Sequence, residues 1–417
     1  MSARTPVRYP HYDLGVPIKI GPALSLDDVV RAVRGERVEL DDGARQRIVA
    51  SRAVVDEVAG EGRAVYGVNT GIGDLATVRI DPTESAVLQR DLIRSHATGT
   101  GAPLPTAVVR AMMVLKARTF AHGYSGVRPA LVDRLIAFLN LGLHPIVPGQ
   151  GSLGASGDLA QLAHLSLPLI GEGIVEHDGT VGPAADALAH SGIAPLRLSH
   201  KEGLSLVNGT EGMLACGILA LDGARKLARA ADVVAAMTIE ACLGTDAVFS
   251  EDVISLRKNA GVAAAARNLR TLLANSPIVE SHRESDHLVQ DAYSLRCTPQ
   301  VHGAYRDALA YVGSSLDAEL ASAIDNPSVF ADSRQVRSSG NFHGESLALA
   351  LDHLGLCLTG YGTISERRTA RLVDHHLSNG LPAFLTTDAG RRTGFMLVHY
   401  TAAALVAENR SLCWPAS

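Results

Sequence analysis

Four long runs in the second half of the chain, 211–243, 302–324, 343–377 and 393–412, keep apolar residues at helical spacing over much of the helix circumference. A helix that is apolar on most sides must be covered on most sides. Few arrangements allow that: inner helices of a bundle, or helices at a subunit interface. Gly360 and Gly362 are candidate interruptions of the third run.

The first half predicts shorter helices. Residues 41–59 open on acidic residues and carry Ile48, Val54, Val55 and Val58 at helical spacing. Residues 85–96 repeat the pattern with Val87, Leu88, Leu92 and Ile93, and 129–141 begin at Pro129 and stop before Gly142. Aromatic residues make up only 4% of the chain, so strand formers are scarce. The best strand signal is 173–176 and 180–181 about a turn at His177-Asp178-Gly179. The expected architecture is mainly α: a long-helix bundle with a smaller mixed N-terminal region. One division is expected near residue 205, giving an N-terminal region 1–205 and a central helical bundle 206–417.

Charge and cysteine usage exclude several functions. A net charge of −5 gives no basic excess for nucleic acid or an acidic membrane surface. No uninterrupted apolar run reaches ~18 residues, so no membrane span is expected. The first fifteen residues hold no apolar signal core. The five cysteines are scattered without a CxxC pair, which fits reduced thiols in the cytoplasm. Sixteen histidines form no HExxH or compact Cys/His cluster, and no metal is expected. His375 and His376 are adjacent, so on a helix their rings diverge. Gly71-Ile72-Gly73-Asp74-Leu75-Ala76 matches a dinucleotide fingerprint, but the residues after it read as extended rather than helical. Ser156 lies in no G-x-S-x-G elbow.

Chemistry concentrates in Gly151-Ser-Leu-Gly-Ala-Ser-Gly-Asp-Leu-Ala160. One reading is a Gly-rich loop before a helix, with Ser156 or Asp158 as its cap. A sharper one starts from three small residues in a row, Ala155, Ser156 and Gly157. Gly157 has no Cβ, so in a tight turn its nitrogen can approach the Ala155 carbonyl carbon. Attack there closes a five-membered ring. Loss of water from the ring and from the Ser156 side chain leaves an exocyclic methylene, an electrophile that no ordinary side chain supplies.

This stretch resembles the signature of the aromatic amino-acid ammonia-lyases and aminomutases, which build a methylidene-imidazolone (MIO) from Ala-Ser-Gly. Six further blocks are similar to that family and stand in its order: 66–73 (YGVNTGIG), 95–99 (SHATG), 208–210 (NGT), 290–296 (QDAYSLR), 325–327 (DNP) and 340–344 (GNFHG). The resemblance implies an MIO made from Ala155-Ser156-Gly157, with no dissociable cofactor. It implies Tyr66 as the base that removes the β-proton. Phenols titrate near ~10, so such a base needs nearby donors or positive charge. Arg296 matches the carboxylate clamp, whose planar guanidinium offers two parallel hydrogen bonds. Asn208 and Gln290 resemble the amides that hold substrate and cofactor carbonyls, and Tyr293 the second active-site tyrosine. Phe342 resembles the residue shielding the cofactor. Asp158 is expected to support cyclisation, either by orienting the Gly157 amide or by capping the next helix.

Ser95-His96 occupies the place where family members choose their amino acid. It looks like histidine ammonia-lyases and also like some tyrosine aminomutases; Asn69, Gln290 and Cys297 lean towards histidine. Ile72 and Gln161 depart from the family pattern. The leading expectation is elimination of ammonia from L-histidine to give trans-urocanate, with a small amino acid as the ligand. The alternatives are a tyrosine or phenylalanine ammonia-lyase or 2,3-aminomutase, and a silent or split homologue. Family chains continue past residue 417, where histidine lyases carry an acidic residue that meets the imidazole. A complementary C-terminal polypeptide is therefore a candidate partner, beside the homotetramer that the resemblance implies.

Overall fold

The computed structural model describes residues 16–60, 64–284 and 289–417. Sixteen α-helices lie among them, and the strands are short pairs or triplets, so the protein is mainly α. The chain divides into two compact units: Met1–Leu219 with Leu316–Leu347, and Ala220–Ser315 with Ala348–Ser417. The sequence reading makes one cut near 205. The units change over at 219/220, 315/316 and 347/348, each inside a long helix, where no turn residue marks the change.

The first unit is built on the helix Thr106–Ala121, in which every residue from Val108 to Ala121 is buried. It packs against Leu26–Val33, Asp42–Gly60 and Pro129–Leu141. Being buried on nearly every side, with Arg110, Lys116 and Arg118 among the buried residues, it has no amphipathic stripe to read in the sequence. Its Arg110 is buried and donates to the carbonyls of Ala32 at 2.8 Å, Val33 at 3.1 Å and Leu139 at 3.2 Å. One guanidinium thereby satisfies the ends of two neighbouring helices.

The expected hairpin is present. Ile174–His177 pairs antiparallel with Thr180–Pro183, with His177 opposite Thr180 and Asp178-Gly179 between them. His144–Pro145 adds a third strand. The fingerprint-like segment forms only a 3-10 turn at Gly73–Leu75.

In the second unit the predicted helices appear at Glu211–Ala241 (begun in the first unit), Thr298–Ala321, Glu345–Val373 and Met396–Leu412. The third runs unbroken through Gly360 and Gly362, against expectation. A Cβ on Gly360 would lie 1.9 Å from the Tyr305 ring, so this glycine serves a close approach rather than a break. The helix is long and apolar enough to cross a membrane by length and composition. It nonetheless buries the charged Glu366 and Arg368 along with Leu347, Leu354, Cys357 and Tyr361, while Leu349 and Leu356 are exposed. His375 and His376 do not diverge. They follow the end of that helix, and their rings stack with centroids 3.8 Å apart. The unit's core joins Ala235, Ile239, Cys242, Phe249, Leu269, Leu273, Val279 and Leu295. Each large side chain there contributes roughly 1.5–3 kcal/mol by leaving water.

Candidate active site

Ala155 and Ser156 are exposed at the tip of a turn, whereas Gly157 and Asp158 are buried at its foot. The Gly157 N–H donates to the Gly154 carbonyl at 3.3 Å, and the Asp158 N–H to the Gly209 carbonyl at 2.7 Å. Gly157 has φ +72°, and a Cβ there would lie 2.1 Å from the Gly209 oxygen. Only glycine fits, and the Gly209 backbone is pressed against it. From the other side the Gly344 N–H donates to the Gly154 carbonyl at 2.9 Å. Three small residues are thus held in a tight turn between two backbone walls.

Asp158 does not cap the helix that follows it, Leu159–Ser166. Its Oδ2 accepts from the Met213 N–H at 2.9 Å, in the first turn of Glu211–Ala241, and Ser152 Oγ lies 2.9 Å from its Oδ1. Burial pushes its carboxyl up to about 6, opposed by these hydrogen bonds and assisted by the Glu211 charge. It can therefore hold or release a proton near neutral pH beside the triad.

The wall at Asn208-Gly209-Thr210 is anchored by charges that sequence reasoning did not select. Lys116, fully buried, donates from Nζ to the Asn208 carbonyl at 2.9 Å and the Ser205 carbonyl at 3.2 Å, and pairs with Glu211 at 3.0 Å. Thr119 Oγ1 donates to the same Glu211 oxygen at 2.7 Å; the other, Oε2, is buried without a hydrogen-bond partner. Lys201, also fully buried, pairs with Asp325 at 2.9 Å. Burial lowers the Lys201 ammonium, while Asp325 opposes the shift. Burial also raises the Asp325 carboxyl, but Lys201 and Lys116 hold it below the usual carboxylate range. Asn208 Nδ2 donates to the Asn326 carbonyl at 3.1 Å and faces Asp325 at 3.3 Å.

Tyr66 is half-buried, and its phenol oxygen accepts from the Gly73 N–H at 3.2 Å. His96 ends the helix Ser85–His96 with Nδ1 2.9 Å from the Leu92 carbonyl. A carbonyl only accepts, so Nδ1 carries a proton, and in the neutral ring Nε2 is then the acceptor. Phe342, half-buried, lies two residues before the Gly344 tether.

In the second unit Gln290, Tyr293 and Arg296 form one cluster. With its amide oxygen turned to the guanidinium, Gln290 accepts from Arg296 Nη2, with Nε and Nη1 each at 3.0 Å. Arg296 Nε also donates to the Asp291 carbonyl at 2.9 Å, and the guanidinium lies 4.5 Å from the Tyr293 ring centroid. Asp291 is itself anchored, accepting from the Thr245 N–H at 2.7 Å. The structure brings together Ala155, Ser156, Gly157, Asp158 and Asn208 about one turn, and Gln290, Tyr293 and Arg296 about one guanidinium. Tyr66 and His96 are held separately within the first unit. A cavity of about 500 Å³ beside Asp56, Arg79 and His200 includes Asn69 but none of these groups, so the turn rather than the hollow marks the chemistry.

The family model described as aromatic amino acid lyase matches residues 24–417. A histidine ammonia-lyase of Deinococcus radiodurans is 50% identical over 395 residues, which are 94% of this chain and 75% of the relative. One of Koribacter versatilis is 49% identical over 410 residues, 95% of this chain and 79% of the relative. Among solved structures, histidine ammonia-lyase from Trypanosoma cruzi superimposes with TM-score 0.87 at 39% identity, covering 96% of this chain and 75% of that one. Tyrosine aminomutase from Streptomyces globisporus gives TM-score 0.89 at 36% identity, covering 95% and 78%.

Proposed function

The chain belongs to the aromatic amino acid lyase family, whose members are carbon–nitrogen lyases, and from this we propose that it eliminates ammonia from L-histidine to give trans-urocanate. The observation that carries the chemistry is the turn at Ala155-Ser156-Gly157, clamped by Gly209 and Gly344. It fits a methylidene-imidazolone: the residues are small, the tip is exposed, and the space a Cβ would need at Gly157 is filled by the Gly209 oxygen. That group supplies an electrophilic methylene that makes the amino nitrogen a leaving group.

The remaining work falls to this chain's side chains. Arg296, held in place by Gln290 and the Asp291 carbonyl, supplies the cation that pairs with the substrate carboxylate. Tyr66, its phenol oxygen oriented by the Gly73 N–H, takes the β-proton. His96 presents Nε2 to the substrate imidazole N–H. Asn208 fixes the wall behind the turn and meets the substrate amine, Tyr293 flanks the clamp, and Phe342 keeps water from the electrophile. Asp158 exchanges the protons that cyclisation requires.

The five cysteines are free thiols, in keeping with a reducing compartment, and the cytoplasm is the proposed location. Exposed Leu397, Val398, Tyr400, Leu405 and Leu412 on Met396–Leu412 support assembly into the proposed homotetramer.

A second reading, tyrosine aminomutase, is favoured by one observation: an acceptor at His96 Nε2 takes a phenol O–H as readily as an imidazole N–H. Incubation of the purified protein with L-histidine, L-tyrosine and L-phenylalanine, with chromatography of the products, separates the two. Urocanate from histidine is expected. Coumarate, cinnamate or a β-amino acid without urocanate overturns the histidine assignment.

A further inference from the structure

The helix Tyr293–Arg296 has only four residues, too few to hold its own orientation. Leu295 anchors it in the core of the second unit. Its Ser294 carbonyl is met by Arg368, only 2% exposed on Glu345–Val373. Arg368 Nε donates to the Ser294 carbonyl at 2.8 Å and Nη2 to Thr298 Oγ1 at 2.8 Å. Thr298 Oγ1 in turn donates to the Leu295 carbonyl at 2.6 Å.

Behind Arg368 stands His302, fully buried, with Nε2 3.3 Å from Nη2 and 3.4 Å from Nη1. A guanidinium only donates, so Nε2 holds a lone pair and Nδ1 the proton. Nδ1 donates to Asp232 Oδ1 at 2.7 Å. Asp232 is completed by Asn268 Nδ2 at 2.8 Å and by Arg306. Burial lowers His302, keeping it neutral, and lowers Arg368 to about 10, still charged at neutral pH. The whole chain of contacts lies within one compact unit and touches no group with an assigned role until it reaches the backbone between Tyr293 and Arg296.

We propose that Arg368 is a positioning residue for the carboxylate clamp: Asp232 orients His302, His302 orients Arg368, and Arg368 holds the Ser294 carbonyl so that Arg296 is presented in register. The proposal rests on the reading of Arg296 as the clamp. An unaided single turn tilts about Leu295, and a guanidinium two residues away loses its two-point geometry. Arg306 remains with Asp232 when Arg368 is removed, so the buried acid keeps a partner.

The test measures binding of two ligand pairs by calorimetry: imidazolepropionate and its alcohol analogue, and phenylpropionate and its alcohol analogue. Arg368→Met is expected to weaken the carboxylate ligand about tenfold and its alcohol less than about twofold. Arg368→Lys, which keeps the charge without the fork, is expected to restore part of the difference. Melting temperature and the two-water mass deficit at 155–157 report the fold and the electrophile independently. If Arg368→Met does not fold, Thr298→Val removes the hydroxyl that links Arg368 to the Leu295 carbonyl while leaving Arg368 on Ser294, and should show a smaller loss that is again selective for the carboxylate. Equal weakening of acid and alcohol, or none, overturns the proposal. A wild type that binds only the phenyl pair overturns the histidine assignment instead, and the Arg368 comparison is then read in that pair.

Discussion

The wall at Gly209 makes a sharp prediction. Gly209→Ala adds one methyl outside the triad, at a residue with φ +146° and with Glu211 Oε2 only 2.2 Å from the new Cβ. Glu211 cannot yield easily, because Lys116 holds it at 3.0 Å and Thr119 at 2.7 Å with all three buried. Breaking that pair costs about 3–5 kcal/mol. The alternative is movement of Gly209 itself, whose oxygen already fills the space beside Gly157. A displacement of about 1 Å there is worth on the order of 100-fold in a reaction that depends on close approach. The variant should therefore fold with reduced stability and lack most of the ring closure. Intact mass with peptide mapping across 151–160 reads this directly: wild type is expected to lack two waters within Ala155-Ser156-Gly157, and Gly209→Ala to retain them in most molecules. Gly223→Ala, where a Cβ meets nothing within 4 Å, is the control and should be neutral or stabilising by about 0.5–1 kcal/mol. A full two-water deficit in Gly209→Ala at unchanged stability would refute the idea that the Gly209 backbone compresses the turn.

Three further outcomes are expected. Tyr66→Phe should keep the fold and the two-water deficit but lose roughly 10²–10⁴ in kcat, and turnover near wild type would remove Tyr66 as the base. Asp158 is raised from 3.8 to about 6, so the folded state binds its proton more tightly than the unfolded chain. The stability this gives is full below the unfolded value and gone once pH rises through about 6. Asp158→Asn should accordingly gain about 3 kcal/mol relative to wild type between pH 4 and 7 in urea unfolding, and parallel pH profiles would contradict the assignment. Lys116→Met strands the buried Glu211 carboxylate and should cost about 3–5 kcal/mol by denaturant unfolding; a change below about 1 kcal/mol would show that the pair is not what holds the wall.

Local signals carried much of the fold. Pro129 and the apolar spacing behind it predict Pro129–Leu141, and Asp178-Gly179 predicts the hairpin, because caps and turns are decided by neighbours in sequence. Thr106–Ala121 went unread because burial on every side erases the periodicity by which a helix is found. At the proposed site, the triad was legible as three small residues able to cyclise, whereas Tyr66, His96 and Arg296 were singled out only by the resemblance to a family. Lys116, Lys201, Glu211, Asp232, His302 and Arg368 were not, since nothing local distinguishes a buried, paired charge from a solvated one.

The sequence alone determined that this chain forms long apolar helices, carries three small residues able to cyclise, and resembles a lyase family. Only the tertiary structure decided that Gly209, 52 positions after Gly157, leaves no room for a Cβ there. It also decided that Asp158 serves Met213 rather than its own helix, and that Arg368 holds the turn bearing Arg296. The physical reason is common to all three. Compression, burial and hydrogen-bond geometry belong to pairs of distant residues, and distance in space is not written in distance along the chain.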